Sequence, residues 1–178
     1  MTNEARRWNL SPECLYVECW TRVFLREHLE PQSCPTVCNV GVGAGDWDDW
    51  LGYWLEGHGS LVSVDIDGAL VHEFRERQAR DRHPNPARAI HGDLLKAELG
   101  RFSLVTLVGS TLHETHAPAL ALQTAQRWVE PGGWLLATVL HGMGDPARLT
   151  AELVGVTHRR AFVDLPEAAF TAVLARCP

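Results

Sequence analysis

Asn39-Val40-Gly41-Val42-Gly43-Ala44-Gly45, at the end of the apolar run Thr36–Val40, decides the fold. Three glycines at alternate positions after a short strand build a turn with no side chains on its inner face. Glycine tolerates positive φ and lets a ligand touch bare backbone. A dinucleotide fingerprint reads G-x-G-x-x-G and aims a helix N-terminus at a pyrophosphate. Here the third glycine comes one residue early and Asp46 holds the dinucleotide position. An acid there repels pyrophosphate and suits a ligand carrying an ammonium or sulfonium group.

Outward from that turn, strands and helices alternate. Ser11-Pro12-Glu13 is a helix start, with Ser as N-cap, Pro at the first position and an acid in the first turn. Tyr16, Trp20 and Phe24 recur every fourth residue along a helix running to about Leu29 and stopped by Pro31 and Pro35. Strands are expected at Thr36–Val40, Ser60–Asp65, Ala89–His91, Phe102–Val108, Trp134–Leu140, His158–Leu165 and Phe170–Ala175. Helices are expected at Asp46–Gly57, Gly68–Arg80, Pro118–Val129 and Pro146–Val154, with Pro131-Gly132-Gly133 as a turn. Phe102–Val108 is nearly all apolar, as in a strand buried on both faces of a parallel sheet. The alternation argues for an open α/β sheet with right-handed crossovers, its last two strands antiparallel.

Ligands in such sheets sit outside the carboxyl ends of the strands. Those ends carry Asn39 and the glycine turn, Asp65, Asp93, and Gly109-Ser110-Thr111 with His113. An acid ~20 residues past the first turn is the usual grip on two ribose hydroxyls, and Asp65 stands 20 residues after Gly45. Asp93 is placed to accept from an adenine amino group, with the Leu94 N–H facing the ring nitrogen beside it.

These segments together resemble class I S-adenosylmethionine-dependent methyltransferases, over nearly everything after Pro35. Asn39–Gly45 resembles the first motif, Leu61-Val-Ser-Val-Asp65 the second, Gly92-Asp93-Leu94-Leu95 the third and Phe102–His113 the fourth. Val129-Glu130-Pro131-Gly132-Gly133-Trp134-Leu135-Leu136 resembles the motif in which a Pro-Gly-Gly turn feeds the fifth strand. The resemblance implies a Rossmann-like methyltransferase fold: an open, mostly parallel seven-stranded sheet, an antiparallel C-terminal hairpin, helices on both faces and an N-terminal covering helix. It also implies S-adenosyl-L-methionine as cofactor, S-adenosyl-L-homocysteine as product, and a cofactor site of Asn39, Gly41, Gly43, Gly45, Asp65, Ile66, Asp93, Leu94 and Ser110. Two positions depart from the family. Asn39 stands where an acid is usual, with Asp46 or Asp48 positioned to compensate, and Ser103 stands where the fourth motif has Asp.

Methyl transfer needs an aligned acceptor and, where it carries a proton, a base. His113 is the leading candidate base, the alternative being a histidine that packs or bonds backbone. Glu114 and His116 are lesser candidates. Tyr16 is a candidate to orient or deprotonate the acceptor, or else part of the apolar stripe; His141 is a candidate lining residue, or else an ordinary loop histidine. His113-Glu114-Thr115-His116 is H-E-x-H, not the zinc-binding H-E-x-x-H, so no metal is expected.

The 178 residues are expected to form one domain, a 1–31 helical lid on a 36–178 core. A net charge of −6, without a run of more than two Lys/Arg, argues against nucleic acid. No membrane span or signal-peptide core is legible, and the five cysteines fit no zinc pattern, so the expected setting is a reducing cytoplasm. The expected acceptor is a small molecule or peptide, with a homodimer compatible. Cyclisation or alkyl transfer from the same cofactor, and a binding module without turnover, stand as alternatives.

Overall fold

The computed structural model describes residue 7 and residues 9–151 and 153–178. The start of the expected 1–31 lid, residues 1–6 and 8, lies outside the described residues, as does Glu152 of the helix expected at Pro146–Val154. The elements run α1 (Pro12–His28), β1 (Thr36–Val40), α2 (Asp46–Trp54), β2 (Ser60–Asp65), α3 (Gly68–Arg80), β3 (Arg88–His91), β4 (Phe102–Leu107), α4 (Pro118–Arg127), β5 (Val129–Leu140), α5 (Pro146–Thr150), β6 (Val156–Phe162) and β7 (Phe170–Arg176). The seven strands lie in the order β3-β2-β1-β4-β5-β7-β6. The first five are parallel, while β7 is antiparallel to both β5 and β6. This is the expected doubly wound sheet with its closing hairpin.

Alternation along the strands sends side chains to two separate cores. Cys38, Val62, Val105, Leu135 and Val173 pack with Leu122 and Ala125 of α4. Val37, Leu61, Leu104, Leu136 and Leu174 pack with Val17, Phe24 and Leu25 of α1 and Trp47 and Leu51 of α2. α1 starts as its sequence dictates: the Ser11 side chain accepts from the Cys14 N–H at 3.2 Å, with Pro12 next.

Several boundaries differ from expectation; α4, for one, ends at Arg127 and not at Val129. β5 begins at Val129, so Pro131-Gly132-Gly133 lies within the strand as an irregularity; the register with β4 shifts between Phe102 and Leu104. A Cβ on Gly133 would meet the Ser103 carbonyl at 2.9 Å, so the strand passes close enough to keep pairing through the glycines. α2 ends at Trp54, short of Gly57, because Gly57 takes φ +74° and closes the turn into β2. α5 spans only Pro146–Thr150, and β6 runs Val156–Phe162, starting two residues and ending three residues earlier than expected. Ser103 is structural: its hydroxyl donates to the Thr36 carbonyl at 2.6 Å and accepts from the Thr36 N–H at 2.9 Å, joining the starts of β4 and β1.

Among the described residues no helix is long and apolar enough to cross a membrane. All five cysteines are free, Cys14, Cys34, Cys38 and Cys177 buried and Cys19 exposed. Burial pushes the Cys14 and Cys38 thiols up to about 12, so both are inert apolar fillers at neutral pH.

Candidate functional site

Gly41, Gly43 and Gly45 take φ values of +86°, +53° and +83°, a backbone that L side chains rarely adopt. The Gly41 N–H donates to the Val64 carbonyl at 2.8 Å, binding the turn to the end of β2. A side chain on Gly41 would collide with Thr111, and one on Gly45 would meet Phe74 and Arg77 of α3. Asp46, Asp48 and Asp49 fill the first turn of α2, where the helix dipole favours acids.

Beneath the turn lies a row of polar side chains. Asn39 pairs in register with Ser63 on one side and Thr106 on the other. All three occupy the strand face that packs on α2. The Asn39 amide donates to the Gly41 carbonyl at 2.9 Å and to the two Asp48 carboxyl oxygens at 2.9 and 3.0 Å. The Asn39 oxygen accepts from the Thr106 hydroxyl at 2.8 Å, and that hydroxyl accepts from the Trp47 indole N–H at 3.2 Å. Ser63 donates to Asp48 at 2.5 Å. Asp48 is fully buried, and burial pushes its carboxyl up to about 8 against the pull of the Ser63 and Asn39 hydrogen bonds. Sequence reasoning passed over Ser63 and Thr106. Each is a small hydroxyl residue with two apolar residues before it and one directly after it, in Leu-Val-Ser-Val-Asp and Leu-Val-Thr-Leu-Val, which is the signal that would have found them.

Asp65 stands beside the turn. Its Oδ2 accepts from the Val42 N–H at 2.7 Å and the Gly43 N–H at 3.4 Å, and Oδ1 accepts from the Asp67 N–H at 2.8 Å. A carboxylate has about four acceptor positions, so Asp65 retains capacity for a hydroxyl. Ile66 beside it is 70% exposed. The half-buried Asp93 carboxylate accepts from the Leu95 N–H at 2.9 Å and pairs with Lys96 at 3.1 Å; those contacts hold it below the usual carboxylate range. Leu94 packs partly buried against the α4-side core. Ser110 donates to Glu114 at 2.6 Å. A cleft of about 540 Å3 lies against the turn's outer side, between Gly43 and Ala44, the α3 residues Leu70, Phe74 and Arg77, and Asn9 with Leu10. Asp65, Asp93 and Ser110 do not line it; they border the carboxyl edge of the sheet instead.

The three substrate-side candidates converge on the Leu140–Phe170 pair that joins β5 to β7. His113 Nε2 accepts from the Leu140 N–H at 3.0 Å. This corrects the simple picture of His113 as a base, because the lone pair that would take a proton is already engaged by backbone. His141 donates its N–H to the Ala169 carbonyl at 2.8 Å, and its Nε2 lies 2.8 Å from the Thr171 hydroxyl. The Tyr16 ring meets Phe170 edge-on at 6.1 Å, and its hydroxyl is buried without a hydrogen-bond partner among the described residues. Also among those residues, no group of three or more His, Cys, Asp or Glu is placed to hold a metal.

Residues 37–133, more than half of the chain, match the family model described as a methyltransferase domain. The chain matches none of the curated proteins. Among solved structures it is similar to a SAM-dependent methyltransferase from Aquifex aeolicus, at 15% identity and TM-score 0.78, covering 100% of both chains. It is also similar to the N-methyltransferase NodS from Bradyrhizobium japonicum WM9 in complex with S-adenosyl-l-homocysteine, at 14% identity and TM-score 0.76, covering 98% of this chain and 97% of that one. The [4+2]-cyclase SpnF shares the fold at 12% identity and TM-score 0.70, covering 90% of this chain and 80% of that one.

Proposed function

The chain belongs to the methyltransferase domain family, and from that premise we propose that it transfers a methyl group from S-adenosylmethionine to an oxygen or nitrogen of a small molecule or peptide. The observation that carries this reading is the bare, positive-φ turn Gly41–Gly45 with the Asp65 carboxylate fastened to its rim. The donor set fits the cofactor. Asp65 accepts from ribose, the exposed Ile66 covers a flat ring, and Asp93 with the Leu94 N–H meets the adenine edge. Gly41, Gly43, Gly45 and Ser110 frame the remainder, while Asn39, buried beneath the turn, holds it in shape instead of touching the ligand. When bound, S-adenosylmethionine supplies a methyl group already activated by sulfonium, so the protein's task is alignment and proton handling.

The acceptor wall is built from Tyr16, His113 and His141 around the Leu140–Phe170 pair. The Tyr16 hydroxyl finds its hydrogen-bond partner in the acceptor, and His141 lines the opposite side. His113 fixes the end of β5 and takes a proton only after the Leu140 N–H leaves Nε2. A compact acceptor suits this wall, because the sheet carries no inserted domain between its strands. The net charge of −6 favours a partner that is not a nucleic acid.

Thermal melts with S-adenosylhomocysteine test the cofactor half. At 100 times its Kd a ligand adds ~2.7 kcal/mol, and an unshifted midpoint sinks the assignment. Formation of S-adenosylhomocysteine with a candidate acceptor supports methylation. The likeness to a cyclase favours one second reading, ring closure without methyl loss, and acceptor conversion with S-adenosylmethionine unconsumed selects it. An unimpaired His113→Ala enzyme removes that histidine from the reaction.

A further inference from the structure

The acid missing from the end of β1 has a counterpart nine positions on, inside the same hydrogen-bonded row. Asn39 points one amide group at two acceptors, the Gly41 carbonyl of the turn and the Asp48 carboxyl. Only an amide can do this, because an aspartate at position 39 would set its own oxygens against both. We propose that Asp48 is a positioning residue for the cofactor: through the Asn39 amide it fixes the Gly41 carbonyl and the glycine turn, and it supplies the acidic group that β1 lacks. The inference rests on the S-adenosylmethionine reading above.

The surroundings of Asp48 define how that acid behaves. Asp49 on its own helix and Glu18 from α1 press on it with like charge, and Cys38 is the titratable group nearest on β1. β2 faces it with the Ser63 hydroxyl and β4 lies beyond Asn39 with that of Thr106, and among the described residues no cation pairs with it. Arg22 is engaged by Glu18 at 2.9 Å and Arg77 by Asp49 at 2.6 Å. Burial pushes the carboxyl up to about 8, so the row is neutral at neutral pH and gains a charge only in alkali. A negative charge one layer beneath the turn attracts the cofactor's ammonium, so the contribution of Asp48 to affinity grows as pH rises through that range.

The test compares the parent protein with Asp48→Asn. The substitution keeps the side chain's size and one acceptor oxygen for the Asn39 amide, makes the Ser63 hydroxyl accept instead of donate, and removes the charge. Calorimetric Kd values for S-adenosylhomocysteine are taken at about pH 6.5 and about pH 8.5, a span in which Asp48 changes charge while the ligand's amine still carries much of its own. The expected result is affinities within about twofold at the lower pH and an Asp48→Asn protein about fivefold weaker at the higher. A ratio unchanged between the two pH values overturns the inference alone, whereas a parent that binds no S-adenosylhomocysteine overturns the cofactor reading and this inference with it. Melts without ligand give a second readout. The parent midpoint falls more steeply than the variant's from about pH 5 to about pH 8, where the unfolded chain's Asp48 is ionised while the buried one keeps its proton, and the difference levels off above that range; parallel curves overturn the inference.

Discussion

The two halves of the carboxyl edge handle their polar atoms differently. At the β1–β2–β4 end, Ser63, Asn39, Thr106, Asp48 and Trp47 satisfy one another in a sealed row, and the glycine turn rests on it. At the β5–β7 end, aromatic rings dominate. Phe162 and Phe170 stack at 4.7 Å, Trp20 stacks on Phe162 at 5.6 Å, and the Tyr16 hydroxyl is buried beside them without a partner. A buried hydroxyl left unpaired costs about 1–3 kcal/mol. The first half is therefore complete before any ligand arrives, while the second carries an unpaired hydroxyl that the proposed acceptor would relieve. A shared cofactor needs the first arrangement; a particular acceptor needs the second.

Three substitutions break or sharpen that contrast. Gly41→Val has the largest effect, because a β-branched residue must enter a +86° φ and meet Thr111. The expected loss is about 3 kcal/mol or more of stability, with S-adenosylhomocysteine binding abolished, read by denaturant melts and calorimetry. Thr106→Val keeps the volume but strips Asn39 Oδ1 of its donor and Trp47 Nε1 of its acceptor. It is expected to cost about 1–3 kcal/mol and to weaken cofactor binding. A Thr106→Val protein of parental stability would show that the row is not a connected unit. Tyr16→Phe is the mildest for the fold: stability unchanged or raised by up to about 1 kcal/mol, since the orphan hydroxyl is gone. Cofactor affinity stays parental while kcat/KM for the acceptor drops about tenfold. A fall in stability instead would place the phenol in the scaffold.

The strands' places along the chain and the closing hairpin were readable because short apolar runs and the turns between them are local signals, as in Ser60–Asp65 and Phe170–Ala175. The start of β5 was not. Pro131-Gly132-Gly133 reads locally as a turn, and only the close passage of the Ser103 carbonyl keeps it within the sheet. Within the site, spacing singled out the glycines, Asp65 and Asp93. The partnership of Asn39 with Asp48 depends on the lateral register of three strands and the pitch of α2, which no single segment encodes. His113 shows the same limit. Its place after β4 was legible, but the backbone N–H that occupies its ring comes from Leu140, 27 positions away.

α1 carries Tyr16 at one position and Arg22 six residues on, about 9 Å along the helix axis. Arg22 pairs with Glu18, reaches the Asp46 carbonyl at 3.1 Å, and its guanidinium lies 5.7 Å over the Trp50 ring. One rod thus touches both the acceptor wall and the helix that the glycine turn feeds. A tilt of α1 that brings Tyr16 toward a newly seated acceptor also levers the first turn of α2.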